Sequence, residues 1–131
     1  MSDPYLAIQV IMMPRDTNPH GTIFGGVILS YIDSAGAIAA RHEVVRAGGS
    51  ERIVFVTVAM NRVEFKQPVH VGDVVAFHTS VVRVGRTSIT VHVDVTSQRG
   101  KEKHHVTEAE VVYVGLDPDS ADRKPIALLP T

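Results

Sequence analysis

The chain has 131 residues, 44% of them hydrophobic and 21% charged, and no cysteine. That length and balance fit one globular domain over residues 1–131 and exclude a disordered tail, a collagen-like repeat and a chain too small to own a core. Thirteen Lys and Arg against fourteen Asp and Glu leave a net charge of −1. No global basic field exists to hold nucleic acid or an anionic membrane. Without cysteine there are no disulfides, thiolate nucleophiles or cysteine zinc sites. With no basic-then-apolar leader at the start, this points to a cytoplasmic protein.

Residues 5–12 read as a short strand. The turn-rich run 14–21 ends it, and Pro19 biases Asn18 away from helical geometry, so an ordered loop follows. From 24 to 43 the pattern turns helical, rich in Ala, Ile and Leu without proline. Residues 23–40 are long enough for a membrane span, but Gly25, Gly26, two serines and Asp33 argue for a helix buried in protein. Beyond Gly48 and Gly49 the chain is dominated by β-branched residues, with strands expected over 52–63, 74–84, 87–97 and 104–115. Ile89, Val91, Val93 and Val95 alternate with Thr90, His92, Asp94 and Thr96, as in a half-buried antiparallel strand. Gly85-Arg86 and Arg99-Gly100-Lys101 read as hairpin turns, and the tail from about 117 as irregular.

One strand, one long helix and four antiparallel strands in a meander make an α+β domain. A helix apolar on nearly every face needs burial nearly all round, which five strands supply only by curling around it. The meander leaves edge strands that invite pairing with a second copy.

Asp33 is the most informative residue. A carboxylate in an apolar helix is costly unless paired or facing a cavity. It is a candidate general base or nucleophile, against the plainer reading of a polar seam. At Gly25-Gly26 the first-turn N–H groups lack intrahelical partners and suit a developing oxyanion, although two glycines also let a helix start tightly against a sheet. Asp33 lies eight residues beyond Gly25, about 12 Å along a helix axis. If both act on one bond, they come from different subunits. Asn18 can orient a water or hold a carbonyl, and it equally suits turn chemistry. Arg83 and Arg86 flank Gly85, with Thr87 and Ser88 beyond, a set able to hold phosphates or simply to form a solvated hairpin tip. The seven histidines show no zinc-helix spacing, and no metal is expected.

Read together, Met13-Pro14-Arg15-Asp16-Thr17-Asn18, Gly21-Thr22-Ile23-Phe24-Gly25-Gly26 and Asp33-Ser34-Ala35-Gly36 resemble the hot-dog-fold acyl-CoA thioesterases. More narrowly, they are similar to the acyl-CoA hydrolase branch containing bacterial YciA-type enzymes and the cytosolic acyl-CoA hydrolases of animals. Phe65-Lys66-Gln67-Pro68, Val71-Gly72-Asp73 and Val84-Gly85-Arg86-Thr87-Ser88 extend the likeness, which runs from about residue 5 to 115. It implies a central helix wrapped by a five- to six-stranded antiparallel sheet, paired into a dimer and commonly a trimer of dimers. It also implies hydrolysis of acyl-CoA to a free acid and coenzyme A, the latter as part of the substrate and with no separate cofactor. The family's helix carboxylate falls on Asp33 and its loop asparagine on Asn18, from opposite subunits. Gly26 N–H would polarise the thioester carbonyl, with Phe24 and Gly25 beside the substrate. Gly85, Arg86, Thr87 and Ser88 would lie along the coenzyme A channel. Whether Asp33 activates water or attacks to form an anhydride stays open at this level. Two rivals are a hot-dog hydratase or dehydratase, whose catalytic histidine loop His20 does not match, and a non-catalytic acyl-CoA-binding module.

Overall fold

The computed structural model describes residues 3–130. The order is β1 (Tyr5–Ile11), a 3-10 turn (Pro14–Asp16), α1 (Gly25–Arg46), β2 (Val54–Asn61), β3 (Val74–Val84), β4 (Ser88–Arg99) and β5 (Glu102–Leu116). All five strands form one antiparallel sheet ordered β1-β3-β4-β5-β2. The count is five, the lower of the expected bounds. The four later strands do not form the continuous meander expected of them. Only β3, β4 and β5 run as successive hairpins, while β2 crosses to the far edge and pairs with β5. The chain between β2 and β3 is too long and too proline-interrupted for a hairpin turn. It runs back along the molecule, giving its Lys66 N–H to Val106 O and accepting at Val69 O from Ile23 N–H.

Both expected hairpin turns are present. Gly85 N–H closes on Ser88 O at 2.7 Å, and Gly100 adopts φ +62° between β4 and β5. Along β4 the side chains of Ile89, Val91, Val93 and Val95 are fully buried toward the helix, and the polar set faces away. The helix runs three residues past the expected end and buries Ile28, Ile32, Ala35, Gly36, Ala39, Ala40 and Val44. These recur every three to four residues, the spacing of one helical face. Ile38 and Val45 on the other side are exposed, so the burial all round that its composition suggested is not met within one chain. The sheet covers α1 on one side only.

The tail is irregular yet pinned. Leu128 sits in the core, its N–H bonds Arg86 O, and Ile126 N–H bonds Gly115 O. Arg52 and Asp119 form a two-bonded surface ion pair that ties the tail to the approach of β2. The Val71-Gly72-Asp73 run has a structural explanation. Gly72, at φ +90°, turns the chain into β3, and the buried Asp73 carboxylate receives Arg99 Nε at 2.8 Å, Arg99 Nη2 at 2.9 Å and His70 N–H at 3.0 Å. Burial alone would raise the Asp73 pKa. The Arg99 bonds and the His70 N–H outweigh it and hold the carboxyl below its ordinary value.

Candidate active site

Asp33 lies midway along α1, half-buried, directly over the pairing of β2 with β5. Thr57 and Tyr113 are cross-strand partners there, and both reach the same helical residue. Thr57 Oγ1 donates to Asp33 Oδ1 at 2.5 Å, and the fully buried Tyr113 hydroxyl donates to the Asp33 carbonyl at 2.6 Å. One contact fixes the carboxylate and the other the backbone that carries it. Burial pushes the Tyr113 phenol well above its ordinary value, and the neighbouring Asp33 adds to this, so the ring acts as a neutral donor.

Close approach of Tyr113 requires Gly36. A Cβ at that position would collide with the Tyr113 hydroxyl and stand 2.9 Å from its Cζ. The shape of β2 contributes as well. Its register shifts between Thr57 and Ala59, leaving Val58 as the extra residue, exposed on the edge strand. Such a bulge re-aims the neighbouring side chain. Neither Thr57 nor Tyr113 was picked out from the sequence. The available signal was Tyr113 itself, a polar-tipped ring on an otherwise aliphatic strand face, which needs a buried acceptor.

Gly25 and Gly26 form the first two positions of α1. The Phe24 ring folds back over Gly26, where a Cβ would stand 2.5 Å from Cε1, and Phe65 covers Gly25. Both rings are exposed in the single chain, so the open N–H groups of the helix start sit in an apolar, outward-facing rim. Asn18 lies in the loop just before. Its Oδ1 accepts from His20 N–H at 2.9 Å and Thr22 N–H at 3.2 Å, and its Nδ2 donates to Thr22 Oγ1 at 2.9 Å. The turn chemistry expected of Asn18 is therefore present, and it holds the amide in one orientation.

Gly85, Arg86, Thr87 and Ser88 cap the β3–β4 hairpin. Their backbone is held by Gly115 N–H on Thr87 O and Leu128 N–H on Arg86 O, while the Arg86 side chain faces solvent. Ile89, the neighbour of Ser88, pairs with Tyr113. Arg86 therefore lies in the hairpin tip, three residues before the partner of Tyr113. One protomer thus holds the predicted residues in three groups: the loop and helix start, the mid-helix carboxylate, and the hairpin tip. Asp33 and Gly26 are seven residues apart on one straight helix, about 10 Å, which keeps them off a common carbonyl within a chain.

Residues 20–104 match the model of the thioesterase superfamily. The chain belongs to that family. Its relatives include the acyl-CoA thioester hydrolase YciA of Salmonella typhimurium, 37% identical over 90% of this chain and 87% of that protein. Among solved structures, the hexameric hotdog fold thioesterase Cj0915 of Campylobacter jejuni is 44% identical with a TM-score of 0.79, covering 93% of this chain and 90% of that one. HI0827, a hexameric broad specificity acyl-coenzyme A thioesterase, is 32% identical with a TM-score of 0.80 and covers 99% and 84%. The helix-on-sheet arrangement is therefore a hotdog fold. No helix among the described residues is long and apolar enough to cross a membrane.

Proposed function

We propose that Asp33 and Asn18, supplied by opposite subunits, carry thioester hydrolysis in this member of the family. The reaction class follows from the family and from relatives matched over most of their length: the chain is an acyl-CoA thioester hydrolase. The observation that carries the residue assignment is the Asp33 carboxylate, set mid-helix and held by Thr57 while Tyr113 fixes the backbone beneath it. A carboxylate positioned this way takes a proton from an attacking water or attacks the thioester carbon itself. In the first case the water oxygen adds to the carbonyl, its proton passes to Asp33, and collapse of the tetrahedral adduct expels coenzyme A thiolate, which Asp33 reprotonates. In the second, Asp33 attacks the carbonyl carbon and expels coenzyme A thiolate to give a mixed anhydride, which water cleaves to the free acid and the restored carboxylate.

The partner's helix start supplies the oxyanion donor, Gly26 N–H, with Asn18 beside it, because one helix cannot bring Gly26 to its own Asp33. The exposed rim of Phe24 and Phe65 and the edge strand β2 support pairing with a second copy, as does the uncovered side of α1. Three such dimers would make the hexamer that the solved relatives form. Arg86 reaches the phosphates of coenzyme A as a bidentate cation, with Thr87 and Ser88 alongside. No metal or further cofactor takes part in the reaction.

The test is release of free coenzyme A from acetyl-, hexanoyl- and palmitoyl-CoA by wild type and by Asp33→Asn and Asn18→Ala. A loss of at least ~100-fold in Asp33→Asn, in a protein still folded and oligomeric, is expected. Mixing Asp33→Asn with Asn18→Ala should restore activity in mixed dimers, where one of the two active sites holds both native residues. Turnover that survives Asp33→Asn would overturn the assignment. In single-turnover hydrolysis in 18O-water, label in Asp33 marks the anhydride route, since it enters only when water adds to the Asp33 carboxyl carbon of the anhydride. Trapping the acyl-enzyme with hydroxylamine tests the route in which water adds to the substrate carbon.

A further inference from the structure

We propose that the outward face of β4 and β5 carries a binding site for a divalent transition-metal ion, with His92, Asp94 and Glu108 as ligands and His105 completing the set. The alternation that sends Val91, Val93 and Val95 into the core sends His92 and Asp94 to the opposite face of the sheet, away from α1 and Asp33. Asp94 pairs directly with Glu108 across the two strands. One ligand atom each from His92, Asp94 and Glu108 lies within 4.8 Å of the others. A tetrahedral ion with bonds of about 2.1 Å needs ligand atoms about 3.4 Å apart. Binding would draw the three atoms together, and Glu108, exposed, is free of the core packing that would resist such a movement.

Two further observations point to a cation. Asp94 and Glu108 face one another, an arrangement that destabilises a sheet when both are charged. Among the described residues no Lys or Arg nitrogen lies within ion-pair distance of either. What does approach them is His105, whose Nε2 stands 2.6 Å from Asp94 Oδ1 and 3.5 Å from Glu108 Oε2. His105 is there because of a bulge. The register passes from Val95↔Thr107 to Thr96↔His105. Val106 is the extra residue and fully buried, and His105 is turned onto the same face as Asp94. Without the bulge, strict alternation would put His105 on the opposite side.

Two imidazoles with two carboxylates form a mixed nitrogen and oxygen set suited to Zn2+ and its neighbours rather than to Ca2+ or Mg2+, which take oxygen ligands. The ion would clip β4 to β5 and relieve the repulsion between the carboxylates. It would lie across the sheet from the thioester chemistry, so its role is in stability.

The experiment is calorimetric titration of the full-length protein with ZnCl2, with MgCl2 in parallel. One Zn2+ per protomer and no Mg2+ response are expected. His92→Ala and Asp94→Asn should each weaken Zn2+ binding at least ~10-fold, while His104→Ala, a nearby histidine outside the set, should leave it unchanged. Zn2+ should raise the thermal midpoint of wild type, and by a clearly smaller amount that of His92→Ala. His92→Ala should release coenzyme A at the wild-type rate. Glu108→Gln, on the most exposed ligand, serves as the alternative should either variant fold poorly. Absence of Zn2+ binding, or affinity undiminished in every ligand variant, would overturn the proposal.

Discussion

The contact between Gly36 and Tyr113 lends itself to a double-mutant cycle. Gly36→Ala alone gains about 1 kcal/mol of helix propensity. It also drives a methyl group into a ring that is fully buried and anchored by its bond to the Asp33 carbonyl. Overpacking of that kind costs about 1–3 kcal/mol, so the single variant should be less stable by up to roughly 2 kcal/mol. Tyr113→Phe alone loses a buried hydrogen bond at 2.6 Å, about 1–2 kcal/mol. In the double variant the colliding oxygen is gone. The remaining contacts, 2.9 Å to Cζ and 3.0 Å to Cε2, need only a small ring shift, and the new methyl fills the space the hydroxyl left. The double variant should therefore be more stable than the sum of the singles by about 1 kcal/mol or more. Urea unfolding of the four proteins at one protomer concentration measures this, because an oligomer's stability depends on concentration. Additivity within about 0.5 kcal/mol would show that the two residues do not share the space described.

Removing the hydroxyl on Asp33 by Thr57→Val should lower kcat about 10-fold with KM little changed, and Thr57→Ser should restore it; an unchanged kcat would detach Thr57 from the site. Ser97 Oγ is buried without a hydrogen-bond partner among the described residues. Ser97→Ala should therefore be neutral or stabilising by up to about 1 kcal/mol in the same unfolding assay. The folded pKa of Asp73 is lowered, so its contribution is present above the unfolded value of about 3.9 and is lost as pH falls through the folded value. Wild type should accordingly exceed Asp73→Asn in thermal midpoint at neutral pH, and the two curves should converge in acid. A gap that stays constant with pH would exclude Asp73 as the titrating group.

The local devices of this fold were written in the sequence because each depends on near neighbours. The alternation from Ile89 to Thr96 sets β4. The glycines at 85 and 100 close two hairpins. The apolar run with its lone carboxylate marks both α1 and Asp33. The motif residues from Asn18 to Gly26 also fall where a loop meets a helix start, as their chemistry required. Tertiary structure alone decided the rest. The place of β2 depended on pairing with β5 residues about fifty to sixty positions away, and local pattern cannot specify a pairing set by distant strands. The supports of Asp33 come from two strands and one helical glycine. Thr57, Tyr113 and Gly36 look ordinary singly and acquire their roles only when the sheet lies under the helix. Likewise, His105 joins Asp94 and Glu108 only through a bulge that no simple alternation announces. The exposed side of α1 is the clearest such case. Its composition called for burial on every face, and a single chain provides it on one, leaving Ile38 and Val45 exposed on the side that the proposed pairing of subunits would cover.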